Sequence, residues 1–189
     1  MTNQNNLIVY CEIEEGLIAD VSLELLTKGK SLASQLGVKL EALVVGDNLK
    51  DVENQIFPYG VDVVYKMEDK RLYPYTSLPH SSALINLFKE IKPQICLMGA
   101  TSIGRDLGPR VSSCLHSGLT ADCTSLEIGV HTDPKTKEDY KNLLYHMGSR
   151  SLTFRSGKTD HYHIFCRIAK PLCRNICQCF SGILHFKEG

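Results

Sequence analysis

The feature that most constrains this chain is the stretch from Gln94 to Cys123, which reads QICLMGATSIGRDLGPRVSSCLHSGLTADC. Its short apolar run, closed by Gly99, is typical of a strand buried on both faces of a parallel sheet. Apolar residues then recur at helical spacing from Leu107 to Leu115, which predicts a helix. The order of strand, small-residue turn and helix places the turn at the carboxyl edge of the sheet, where open α/β folds bind ligands.

The turn and the start of the helix supply the candidate site residues, and each has two open interpretations. Thr101 and Ser102 suit a ligand contact, but a hydroxyl at a helix start is equally typical of an N-cap. Arg105 suits an anion or an acidic surface and Asp106 a backbone donor, yet both also suit a solvated pair. Asp122 is predicted in a short Leu-Thr-Ala-Asp loop, where its carboxylate could instead make an Asx turn.

The residues before this stretch alternate between strand and helix patterns. We predict strands over residues 7–11, 39–46, 61–65 and 94–99, and helices over residues 20–36, 48–57 and 77–91. Asp20 is the expected N-cap of the first helix, and Gly37 is its expected left-handed C′ residue. This alternation implies an α/β fold with a parallel sheet and helices on both faces. The strands at 7–11 and 94–99 are the most apolar, so we expect them to be central neighbours.

Composition narrows the possible partners. The chain has 21 Lys plus Arg and 21 Asp plus Glu, so its charge balance does not favour a nucleic acid or an anionic membrane as partner. Residues 1–6 are polar and lack the basic start and apolar core of a signal peptide, and no apolar run is long enough to span a bilayer. We therefore expect a cytoplasmic protein with a protein partner.

Standard nucleotide and catalytic motifs are missing from the sequence. Gly99, Gly104 and Gly108 form no G-x-G-x-x-G after the first strand, and there is no G-x-x-x-x-G-K-[ST]. The loop after the first strand carries Glu12 and Glu14, which would repel a phosphate. No Ser or Cys stands with His and a carboxylate at a recognisable spacing, so no hydrolytic triad is predicted.

The run GATSIGRDLGPRVSSCLHSGLTADCTSLEI, which starts at Gly99, resembles the motif block in the amino-terminal domain of electron transfer flavoprotein alpha subunits. It is similar to the bacterial branch, and the likeness extends more loosely back to Leu7 and ends after about Leu144. The resemblance implies a Rossmann-like open parallel sheet of the adenine nucleotide alpha hydrolase-like type. It also implies a family domain at residues 1–144 and a non-family tail at 145–189.

The same resemblance implies a role. In the family, the alpha amino-terminal domain is a scaffold that packs on a beta subunit, and the heterodimer carries electrons between flavin dehydrogenases, of the acyl-CoA dehydrogenase type, and an acceptor. A separate carboxy-terminal domain makes most of the contacts to FAD. The resemblance assigns cofactor contacts to Thr101, Ser102, Arg105, Asp106 and Asp122, and it assigns no catalytic residue and no metal ligand.

The tail at residues 145–189 has a different composition from the rest of the chain. Its Cys166, Cys173, Cys177 and Cys179 follow the pattern C-x6-C-x3-C-x-C, which contains no C-x2-C pair, so a zinc or iron–sulfur site is not favoured. The favoured interpretation is a tail that is out of frame, with disorder as another possibility. If the reading frame is shifted forward by one base, the degenerate codons for residues 153–163 can encode Pro-Ser-Gly-Val-Gly-Lys-Leu-Ile-Thr-Ile-Ile. This peptide resembles the family's Gly-rich step and the apolar strand that follows it.

The sequence therefore predicts a truncated alpha subunit that keeps the scaffold and does not bind FAD stably alone. Two other classes stay open. One is an ATP-binding enzyme of the alpha-hydrolase-like nucleotide-binding fold, although such enzymes have a loop resembling S-G-G-x-D-S where this chain has Glu12 to Gly16. The other is a zinc-binding regulatory protein that uses the Cys and His residues of the tail.

Overall fold

The computed structural model describes residues 6–132, 139–147, 162–166 and 185–188. The helices and strands in chain order are β1 (Asn6–Cys11), β2 (Ile13–Glu14), β3 (Leu17–Ile18), α1 (Asp20–Leu36), β4 (Lys39–Gly46), α2 (Val52–Ile56), β5 (Val63–Glu68), α3 (Ser77–Ile91), β6 (Ile95–Gly99), α4 (Ser102–Leu115), β7 (Gly118–Thr132), β8 (Asp139–Met147), β9 (Tyr162–Cys166) and β10 (His185–Glu188). Short 3₁₀ turns at Phe57–Tyr59 and Lys70–Leu72 complete the described elements.

Four parallel strands form the core of the main sheet, in the order β5-β4-β1-β6. Val9 of β1 is in register with Ala42 of β4 on one side and with Leu97 of β6 on the other. The predicted central pair of strands is therefore confirmed, as is the Rossmann-like α/β class. Antiparallel strands extend the sheet at both ends, with β10 beside β5 and with β9, β7 and β8 beyond β6.

The two faces of β1 are buried under different helices, because successive side chains of a strand point to opposite sides. Leu7 and Val9 lie in a core that contains Leu25 and Leu32 of α1. Ile8 and Tyr10 lie in a second core on the opposite face of the sheet. Buried side chains of α3 and α4 pack in this core, among them Ala83, Leu84, Leu87, Phe88, Leu107 and Val111. Helices thus cover both faces of the sheet, as the alternating pattern predicts.

The predicted N-cap of α1 is wrong, whereas its predicted C-terminus is confirmed. Asp20 is the first helical residue, and the N-cap position belongs to Ala19, which has no side-chain cap. The backbone N–H of Ala19 donates to the carbonyl oxygen of Glu12 at 2.9 Å. The N-cap therefore lies at Ala19, one residue before the predicted position. Gly37 closes the helix in the left-handed region, at φ 71°.

Two connections differ from their predicted form. The helix predicted over residues 48–57 is the shorter α2 followed by a 3₁₀ turn. The third strand begins at Val63 rather than at residue 61. Asp62 just before it is held by Leu40, whose N–H donates to the Asp62 carboxylate at 2.8 Å.

The loop predicted around Asp122 is also wrong. Helix α4 ends at Leu115, where His116 is left-handed at φ 50°, and β7 already begins at Gly118. Leu119 of β7 is in register with Phe165 of β9, so a distant segment draws these residues into the sheet. The pattern of residues 118–122 gives no sign of that partner, because backbone pairing depends on tertiary contacts.

The tail is described only in part. Residues 162–166 form β9 between β6 and β7, and residues 185–188 pair with β5. Cys173, Cys177 and Cys179 lie outside the described residues, so the prediction about the tail cysteines stays a prediction.

Within residues 6–132 and the shorter described segments, no helix combines the length and the apolar character needed to cross a membrane. In the same parts of the chain, no three His, Cys, Asp or Glu side chains are grouped so that they could hold a metal ion.

Candidate functional site

The turn between β6 and α4 is fixed by Thr101, which serves two partners at once. As the N-cap of α4, its hydroxyl oxygen accepts the N–H of Gly104 at 3.0 Å. The same hydroxyl donates to the Glu12 carboxylate, with 2.7 Å to Oε1 and 3.0 Å to Oε2. Thr101 therefore ties the start of α4 to the loop after β1.

Two glycines allow this turn to close against its surroundings. A Cβ atom at Gly104 would lie 1.9 Å from the backbone oxygen of Gly99, closer than any real contact of that kind. A Cβ at Gly99 would lie 3.2 Å from Oε1 of Glu12 and 3.1 Å from the side chain of Val21. The close approach of the helix start to the strand end thus requires glycine at position 104.

Glu12 places a buried carboxylate at the sheet edge. The Glu12 side chain is 3% exposed. Burial raises the pKa of its carboxyl group, the hydrogen bond from Thr101 lowers that pKa, and the charge of Glu14 raises it. Its own backbone N–H donates to the hydroxyl of Ser22 in α1 at 2.9 Å. An anion such as a phosphate would meet this carboxylate, so the edge is poorly suited to a nucleotide phosphate.

Asp106 joins α4 to the start of α3. Its Oδ2 accepts from the Ser77 hydroxyl and, at 2.8 Å, from the Tyr75 hydroxyl, and its Oδ1 accepts from Nε of Arg110 at 2.9 Å. The hydrogen bonds from Ser77, Arg110 and Tyr75 lower the pKa of Asp106 to about 2. The sequence suggests a backbone donor for this carboxylate, but its three donors are side chains.

The remaining predicted site residues are placed differently. Ser102 and Arg105 lie on the exposed side of the first turn of α4, where Nε of Arg105 donates to the carbonyl oxygen of Ala100 at 3.0 Å. Four of the five predicted residues are thus brought together at the start of one helix. Asp122 lies in β7 instead.

A cavity of about 400 Å³ opens at the same edge of the sheet, above β1 and β4. The residues that line it are Tyr10, Glu12, Ile13, Glu15, Gly16, Val45, Gly46, Asp47, Asn48, Leu72, Tyr73, Tyr75, His80 and Ile103. Residues 46–48 and residues 100–102 follow the ends of β4 and β6 at this edge. The structure places only the first group at the cavity, because Thr101 turns toward Glu12.

Sequence reasoning missed three cavity residues, Tyr10, Tyr75 and His80. Tyr10 looks like one more apolar position of a buried strand, and His80 looks like one more buried position of α3. Tyr75 lies in a connection without a pattern. The one available signal is that Tyr10 is the last residue of β1 on its face, which places its polar end near the carboxyl edge.

The family model of the electron transfer flavoprotein domain matches residues 7–137 of this chain. The chain belongs to the electron transfer flavoprotein family. The match contains the whole parallel core and the first turn of α4, the region described above as the candidate site.

Curated relatives agree with this assignment. The chain is 38% identical over 128 residues to the electron transfer flavoprotein subunit alpha of Thermoanaerobacterium thermosaccharolyticum, a match that covers 68% of this chain and 39% of the relative. It is 45% identical over 122 residues to protein FixB of Clostridium saccharobutylicum, covering 65% of this chain and 36% of the relative. It is 39% identical over 123 residues to the acryloyl-CoA reductase electron transfer subunit beta of Anaerotignum propionicum, covering 65% of this chain and 34% of the relative. The chain thus matches less than half the length of these relatives.

Proposed function

We propose that this chain acts as the amino-terminal scaffold of an electron transfer flavoprotein alpha subunit, in a heterodimer with a beta subunit. The heterodimer carries electrons between a flavin dehydrogenase, of the acyl-CoA dehydrogenase type, and an acceptor. Residues 1–144 form the family domain, and residues 145–189 are a tail outside the family pattern. The names of the relatives, which include an acryloyl-CoA reductase electron transfer subunit, support this role.

The observation that carries the proposal is the contact between Glu12 and Thr101. A nucleotide-using enzyme of this fold needs backbone donors and space for phosphate at the carboxyl edge of the sheet. Here the Thr101 hydroxyl is occupied by Glu12 and by the N–H of Gly104, at 2.7 to 3.0 Å. The turn after β6 is therefore closed around a carboxylate, which favours a structural role for this turn over the binding of an ATP phosphate.

The exposed residues beside this closed turn form the proposed partner surface. Ser102 and Arg105 are exposed on α4. Asp106 holds α4 to the chain around Tyr75 and Ser77, and the flanking Tyr73 and Leu78 are 74% and 72% exposed. Exposed aromatic and arginine side chains are enriched at protein interfaces.

FAD binding belongs to a separate domain in the family, and we propose that this chain alone does not hold FAD stably. Thr101 and Asp106 already use their polar atoms within the chain, so Ser102 and Arg105 are the predicted site residues best placed to reach a cofactor held by a partner.

The test is to express the 189-residue chain alone and together with its cognate beta subunit, and to purify both by affinity and gel filtration. The chain alone should be colourless, and the two chains should co-elute. Co-elution with Arg105→Ala or Leu78→Ser should weaken, whereas Lys89→Ala, an exposed change on α3, should leave it unaltered.

Two results would contradict the proposal. A flavin absorbance spectrum that survives gel filtration of the chain alone, at one FAD per chain, would overturn the assignment of a scaffold without its own flavin. Failure of the folded chain to associate with the beta subunit would overturn the heterodimer role. Calorimetric titration with ATP should give no heat of binding, and clear binding would favour the nucleotide-using enzyme.

A further inference from the structure

The cavity above β1 and β4 contains two buried side chains with unused hydrogen-bonding atoms. Tyr10 is 2% exposed, and its phenolic oxygen has no hydrogen-bond partner among the described residues. His80 is 3% exposed, and its Nδ1 lies 3.1 Å from the carbonyl oxygen of Thr76. Because a carbonyl oxygen only accepts, Nδ1 carries the proton of the neutral imidazole and Nε2 presents a lone pair. Neither atom is among the fully buried unpartnered atoms of the described residues, so both open on the cavity that their side chains line. Polar atoms that face a cavity without a protein partner are available to a ligand.

Tyr10 lines the cavity together with Glu12 and Tyr75. Burial raises the pKa of Tyr10, and the charges of Glu12 and Tyr75 raise it further. Burial also lowers the pKa of His80, which keeps its imidazole neutral and its Nε2 available as an acceptor.

The charged residues around the cavity favour a positively charged ligand. Glu12, Glu15 and Asp47 contribute carboxylates to the lining, and the described lining residues include no Lys and no Arg. An anion would be repelled from such a site and a cation attracted, more strongly than in bulk water because the walls are partly apolar.

The aromatic side chains narrow the choice to a planar cation. The rings of Tyr75 and His80 lie with their centroids 4.7 Å apart, and Tyr73 adds a third aromatic ring to the lining. A guanidinium group is planar, stacks on aromatic faces and carries only donors. Its donors match the acceptors available here, which are the Tyr10 oxygen, Nε2 of His80 and the Glu12 carboxylate.

We propose that this cavity binds a guanidinium group. Its volume of about 400 Å³ falls within the usual range of small-molecule sites. The guanidinium belongs either to a free alkylguanidine or to an arginine side chain of another protein, and the chemistry of recognition is the same for both. None of the acceptors of the site belongs to the proposed partner surface, and Tyr73 is the residue that the two share. Because the titration uses the chain alone, its outcome does not depend on the electron-transfer role.

The test is calorimetric titration of the full chain with three probes at low ionic strength. Butylguanidinium represents the free small molecule, and a terminally blocked Gly-Arg-Gly peptide represents an arginine side chain. Butylurea has a similar shape but no charge. We expect butylguanidinium to bind with a dissociation constant of about 1 mM or tighter, and butylurea at least about tenfold more weakly. Tighter binding of the peptide would identify an arginine of another protein as the source of the guanidinium, and binding of butylguanidinium alone would identify a free molecule.

Three variants locate the binding to the cavity. Tyr10→Phe removes only the unpartnered oxygen, so it should keep the thermal unfolding midpoint and weaken butylguanidinium about tenfold. Asp47→Asn at the rim should weaken it about threefold. Glu90→Gln, an exposed change on α3 outside the cavity lining, should leave the affinity unchanged. Absence of binding for both guanidinium probes, equal binding of butylurea, or unchanged affinity in Tyr10→Phe would each overturn the proposal.

Discussion

Two regions at the same edge of the sheet differ in whether their polar side chains are hydrogen-bonded within the chain. In the turn after β6, the Thr101 hydroxyl bonds to Glu12 and Gly104, and the Asp106 carboxylate accepts three side-chain donors. In the cavity above β1 and β4, the Tyr10 hydroxyl and Nε2 of His80 have no partner among the described residues. Satisfied polar groups stabilise a fold, whereas unpartnered polar atoms that open on a cavity are available to a ligand. The turn that the sequence singles out is therefore structural, and the cavity beside it is the better candidate for a ligand.

The largest effect on this comparison should come from Gly104→Ala. The new Cβ would lie 1.9 Å from the backbone oxygen of Gly99, so the start of α4 must move away from β6. We expect the free energy of unfolding to fall by about 3 kcal/mol or more, measured by urea denaturation. Ser113→Ala, an exposed change on the same helix, is the control and should shift it by less than about 0.5 kcal/mol. Equal stability of the two variants would mean that the turn is not closed as described.

Thr101→Val should have the second-largest effect and lower the free energy of unfolding by about 2 kcal/mol. The change removes both the N-cap of α4 and the hydrogen-bond donor to the buried Glu12 carboxylate. The hydrogen bond from Thr101 lowers the pKa of Glu12, so the variant should also raise that pKa, which carboxyl NMR titration can follow. Thr101→Ser keeps the hydroxyl and should restore most of the stability. If serine fails to restore it, packing of the threonine methyl group is the cause rather than the hydrogen bonds.

Glu12→Gln should change how stability depends on pH. Burial raises the folded-state pKa of Glu12 above its unfolded value, so the folded state holds this proton more tightly. The resulting stabilisation is complete below the unfolded pKa and is lost as pH rises through the folded pKa. Wild type should therefore lose stability relative to Glu12→Gln as pH rises above the unfolded pKa of about 4.3, followed by urea midpoints. Glu90→Gln, at an exposed position of α3, serves as the control, and a parallel pH response of wild type and Glu12→Gln would argue against a buried carboxylate.

Asp106→Asn should give the smallest effect, because this carboxylate is partly exposed. Hydrogen bonds from Ser77, Arg110 and Tyr75 lower its pKa to about 2, so its contribution is present above the unfolded pKa and is lost as pH falls through about 2. The variant should be less stable than wild type at neutral pH, and the difference should shrink as pH falls from about 4 toward 2. Asp51→Asn, at an exposed position, should show no such convergence. A difference that persists at pH 2 would assign the effect to packing.

The sequence predicts the fold well and the site only in part. Apolar runs and helical spacing are local, so they locate the strands at Lys39–Gly46 and Ile95–Gly99 and the helix at Ser77–Ile91 without tertiary information. The motif block from Gly99 onward leads to the correct family. The loop around Asp122 fails as a prediction because β9 pairs with Thr120 and Cys123 on either side of it, and this pairing draws the segment into the sheet.

The functional assignment of side chains depended on contacts between distant parts of the chain. Thr101 and Glu12 are 89 positions apart, and Tyr75 and Asp106 are 31 apart, so no local pattern reveals that each pair is hydrogen-bonded. Whether a polar group is satisfied depends on what the fold brings to it, because a hydrogen bond needs its partner within about 3 Å. The sequence by itself determined the order of the elements, the position of the sheet edge and the family. Only the tertiary structure decided that the side chains of Thr101 and Asp106 are hydrogen-bonded within the chain and that the Tyr10 hydroxyl and Nε2 of His80 are left open to the cavity.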